Sequence, residues 1–69
     1  MKSTIDKLLE SVRGQIHDVD VITDISTKLS DKQYRQVFLI LNGLKESGKW
    51  KPSESDDENL EEFWWNYAN

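Results

Sequence analysis

The chain has no cysteine, one histidine, one proline and three glycines in 69 residues. Lack of cysteine excludes a disulfide framework, a thiolate nucleophile and a Cys-based zinc site, and one histidine is too few for a His-rich metal centre. So few glycines and prolines argue against a loop-rich fold. Gly14, Gly43 and Gly48 stand far apart, so none opens a phosphate-cradling loop. No apolar run approaches the ~18 residues of a membrane span. From these absences we expect a soluble, cytoplasmic protein without a cofactor or a membrane contact.

What is present is 36% hydrophobic and 32% charged, too apolar for a disordered tail. A chain of this length holds one small core, which excludes most enzymes. The expectation is a non-enzyme: a single all-α domain, a small three- to four-helix bundle. Such a core gains only ~3–5 kcal/mol, so a protein partner or a second copy is a natural way to complete it.

Ile5, Leu8, Leu9, Val12, Ile16 and Val19 fall on one stripe about 100° wide, which predicts a first helix over residues 4–17 capped by Ser3 or Thr4, with Asp6 in its first turn. Ile22, Ile25 and Leu29 lie on the opposite side of the same winding, so the helix must break near His17-Asp18-Val19-Asp20. Asp18 or Asp20 then caps a second helix, about 20–29. The alternation from Asp18 to Val21 also suits a strand, but it has no strand to pair with.

Ser30 and Gln33 have capping-box spacing, and Tyr34, Val37, Phe38, Leu41 and Leu44 repeat on one face, predicting a third helix over 31–46 stopped by Gly48. Gly, Pro and Ser cluster in residues 47–55, read as a connector. Ser55 and Glu58 suggest a second capping box. Leu60, Phe63, Trp64 and Tyr67 then form one face of a last helix, 56–68.

Catalytic chemistry has little to work with. His17 lies beside Asp18 and Asp20 but has no spaced nucleophile, and reads as a surface residue. Asp18, Asp20 and Asp24 resemble the start of a calcium loop, yet Thr23 stands where that loop needs glycine and Leu29 where it needs glutamate. The acids from Asp56 to Glu62 suit the positive end of a helix dipole, so no metal site is assigned to either cluster.

Charge and aromatics are unevenly placed. Of 13 acidic residues in a chain of net charge -4, six fall between Glu54 and Glu62, where there is no base. All seven aromatics lie in residues 34–67. Trp65 and Leu39 point away from the apolar faces of their helices, and Trp50 sits in the connector, so one core does not account for them. Exposed aromatics mark protein interfaces. We expect a protein-docking face of Leu39, Trp50, Glu58, Glu61, Glu62 and Trp65, on an inhibitor, adaptor or antitoxin-like regulator of phage or plasmid size. Its carboxylates would imitate phosphates to a nucleic-acid-binding partner. The competing expectation is a dimeric nucleic-acid-binding regulator that uses Lys32 and Arg35 on an exposed helix, although the acidic tail repels DNA.

Overall fold

The structure, a computed structural model, describes residues 2–69, which form helices α1 (Thr4–Gln15), α2 (Val19–Ser30), α3 (Tyr34–Glu46) and α4 (Glu54–Phe63), followed by a π-helical turn (Trp64–Ala68). The all-α bundle expected from the sequence is what these residues adopt, with no strand among them.

Helix starts follow short polar side chains. Ser3 Oγ accepts from the Asp6 amide at 3.2 Å while Asp6 accepts from the Ser3 amide at 3.3 Å, satisfying two donors that a helix start leaves free. Asp18 accepts from the Asp20 amide at 3.0 Å and starts α2, so residues 18–21 are not a strand. Ile16 is extended, and α1 ends at Gln15, two residues short of the expected limit.

Two caps differ from expectation. Ser30 is the last residue of α2, not the cap of α3, and Gln33 caps α3 without a side-chain bond. The reason lies in the turn between them. Gln33 N–H donates to Lys28 O at 2.8 Å and Lys32 N–H to Leu29 O at 3.1 Å, the paired bonds of a Schellman C-cap, with Lys32 at φ 59° in the left-handed position. Closing α2 this way displaces the start of α3 by a turn. At α4 the box forms between Ser53 and Asp56 rather than Ser55 and Glu58. A box two residues earlier extends the helix toward Pro52.

The helices meet in a definite order. Thr4 bonds Glu62, Ser11 bonds Asp56, and Gln15 bonds Lys51, so α4 runs antiparallel along α1. Lys45 pairs with Asp57, Phe38 packs on Trp64, and Arg35 bonds Ala68, so α4 and its extension also run antiparallel along α3. α2 packs on α3. α4 therefore lies along α1, and its π-helical extension packs on α3. Leu8, Val12, Ile25, Val37, Leu41, Leu44, Trp50, Leu60 and Phe63 form the buried core beneath it.

Trp50 corrects the connector reading, because it is fully buried and cannot take part in a docking face. Gly48, at φ 79°, turns the chain after α3, and Trp50 N–H then reaches back to Leu44 O at 3.1 Å. That bond directs the indole inward, where its Nε1–H donates to Ser11 Oγ at 3.1 Å. A buried Trp with its polar atom satisfied adds one of the largest apolar surfaces the core can contain.

Candidate functional site

The face of interest is the outer side of α4 and the turn that follows. Two flanks of α4 are used in packing. On the α1 flank Ser11 Oγ donates to Asp56 Oδ2 at 2.6 Å, and Ser53 N–H donates to the same carboxylate at 3.0 Å. Burial pushes the Asp56 carboxyl up, but these bonds and that with the Ser53 hydroxyl outweigh it and hold the pKa below the usual carboxylate range. On the α3 flank Asp57 pairs with Lys45 at 2.8 Å. These two acids therefore serve the fold.

The third flank faces water. Glu58, Glu61 and Glu62 are exposed, as expected, and Glu62 also accepts from Thr4 Oγ1 at 3.1 Å. Glu58 and Glu61 have no hydrogen-bond or ion-pair partner among the described residues. Trp65 continues this strip and is 63% exposed. Leu39 is 60% exposed on α3, the helix against which the π-helical turn packs. Of the six residues expected to dock, five are at the surface, and four of those share one helix and its extension.

A π-helical turn decides how the last aromatics divide. In a continuing α-helix Phe63 and Ala68 would lie about 140° apart at 100° per residue, on different faces. Closure by i→i+5 bonds, seen in Asn69 N–H to Trp64 O at 2.7 Å, brings residues five apart toward one side. Phe63 and Ala68 are accordingly both buried. Tyr67 packs against Tyr34 with ring centroids 5.2 Å apart and planes inclined at 55°, yet stays 43% exposed, and Trp65 is left outside. Sequence spacing placed Tyr67 on the one apolar face of the last helix and did not foresee its exposure, because a one-face pattern assumes an unbroken α-helical period. Val19, 74% exposed at the first position of α2, was likewise assigned to the α1 stripe. The Asp18 cap was the signal that it begins a new helix.

Lys32 and Arg35 do not form a basic helix face. Lys32 occupies the left-handed turn before α3, outside the helix expected to carry it. Arg35 Nε donates to Ala68 O at 3.1 Å and clamps the π-helical turn. His17 is exposed at the α1–α2 junction. No helix of the described residues is long and apolar enough to cross a membrane. No protein-family model matches the chain, nor does any curated protein or solved structure.

Proposed function

We propose that the chain is a non-catalytic protein-interaction module, of the inhibitor, adaptor or antitoxin-like kind, that docks on a partner with a basic, phosphate-binding face. Trp65 and Leu39 are the apolar anchors, and Glu58, Glu61 and Glu62 are the carboxylates that stand in for phosphates. The observation that carries this reading is Trp65 displayed in water at the end of a helix that holds six acids and no base. Charge complementarity selects the partner: a cationic surface gains by approaching such a strip, and an anionic one is repelled. A Trp inserted at the centre of an interface characteristically supplies about 2 kcal/mol or more.

The test is affinity capture of the partner, followed by competition with duplex DNA and light scattering on the purified chain. The captured protein is expected to bind duplex DNA and to release it as the chain is added. Trp65→Ala should weaken that binding by roughly 30-fold while leaving helicity by circular dichroism unchanged. Three results count against the reading: a captured protein that keeps its DNA, a Trp65→Ala variant that is unfolded, or a self-association that accounts for the whole effect of the substitution.

A further inference from the structure

A shallow groove runs between α3 and α4 on the flank of the acidic strip. Its floor is Phe38, Leu60 and Trp64, and its rims are Asn42 and Glu61. The Lys45–Asp57 ion pair closes one end. Phe38 and Trp64 are half-buried, with ring centroids 4.9 Å apart and planes 44° from parallel, so part of each aromatic surface is open to the groove.

We propose that this groove is a guanidinium site, taking an arginine side chain from the basic partner inferred above, with the planar group against Trp64 and its N–H donors on Glu61. The proposal rests on the docking reading and adds the side chain that the partner must present.

The antiparallel register of α3 and α4 carries it. Lys45 meets Asp57, and two turns further along Phe38 meets Trp64. Between these contacts Glu61 lies one helical turn past Asp57, and Asn42 lies one turn before Lys45. One turn on from the Lys45–Asp57 pair, α4 therefore carries an acid and α3 an uncharged amide. Asn42 directs its amide toward Glu46 at 3.5 Å, not toward Glu61. Glu61 is thus a carboxylate without a cation partner among the described residues, set beside the aromatic floor.

Other occupants fit less well. An apolar side chain would desolvate Glu61 without pairing it, which is costly. An acid would face the Glu61 carboxylate, with Lys45 already paired to Asp57. A lysine satisfies the charge but lacks the plane and fork that let arginine stack on an indole and bind a carboxylate through two bonds.

The experiment titrates the isotope-labelled protein at low salt with a short peptide of alternating Arg and Ala, and with its Lys counterpart. The expected result is movement of the Trp64 indole N–H and Phe38 ring resonances without movement of the Trp50 indole. The Lys peptide should bind several-fold more weakly. Glu61→Gln should lose about tenfold in affinity, whereas Glu54→Gln, with the same charge loss outside the groove, should lose no more than about twofold. Equal losses in the two variants, or equal binding of the two peptides, overturn the guanidinium site. Perturbation limited to Trp65 and Glu58 and indifferent to Glu61→Gln also overturns it but leaves the docking face standing, whereas no perturbation anywhere removes both.

Discussion

At Trp50 the indole ring fills the middle of the core and donates its single N–H to Ser11, which passes its own O–H to Asp56. This short relay ties the connector, α1 and α4 together through one hydroxyl. Truncating Trp50 to Ala should cost about 3–5 kcal/mol, the range for removing a buried aromatic, and thus most of the stability of so small a domain. Urea unfolding provides the measurement, and a loss below about 1 kcal/mol would show the ring to be peripheral.

Asp56 gives the relay a pH signature. Its folded pKa is lowered, so the ionised carboxylate stabilises the fold at every pH above the ordinary value of about 3.9. That contribution is lost as pH falls through the lowered folded value. Asp56→Asn should therefore be less stable than the wild type at about pH 7, with the gap narrowing toward about pH 2. A gap that is constant with pH would mean that the cap geometry, not the charge, is what matters. Nothing in the sequence marked Trp50 or Ser11 for this arrangement, because residues 39 apart meet only once the chain is folded.

Among the elements, the caps of α1 and α2 were legible in the sequence, and those of α3 and α4 were not. Ser3 and Asp18 were readable because a cap bond is local, formed within two or three residues. The α2–α3 turn was misread because Ser30 and Gln33 have the right spacing, and only the continuation of α2 through Ser30 shows that the helix has not ended. Lys32 bears the consequence, a non-glycine residue at φ 59°. A side chain there costs about 1 kcal/mol, so Lys32→Gly should stabilise the domain by up to roughly that amount. Thermal unfolding should show a midpoint higher by a few degrees, and a lower midpoint would show that the lysine contributes a contact worth more than the strain.

For the whole molecule, the position of the last helix matters most. The Cα radius of gyration is 10.9 Å, against about 11 Å for a folded chain of this length, so the described residues are as compact alone as a finished domain. α4 supplies Leu60 and Phe63 to the core and is bonded to both α1 and α3. A chain cut after residue 53 should accordingly lose its cooperative unfolding transition, and most of its helicity should disappear by circular dichroism. Persistence of a sharp transition in that fragment would show α1 to α3 to be the folding unit, with α4 an addition to it.

Periodicity, caps and composition determined by themselves that this is a small all-α domain with six acids and no base on the last helix and with Leu39 and Trp65 outside the core. Those properties follow from spacing along one helix, where neighbours in sequence are neighbours in space. Only the tertiary structure decided the rest: that Trp50 is core, that Tyr67 is partly exposed, that Arg35 clamps the chain's own backbone, and that Glu61 faces an aromatic groove. Each depends on which helices lie side by side or on a change of helical period, and neither is encoded within a window of a few residues.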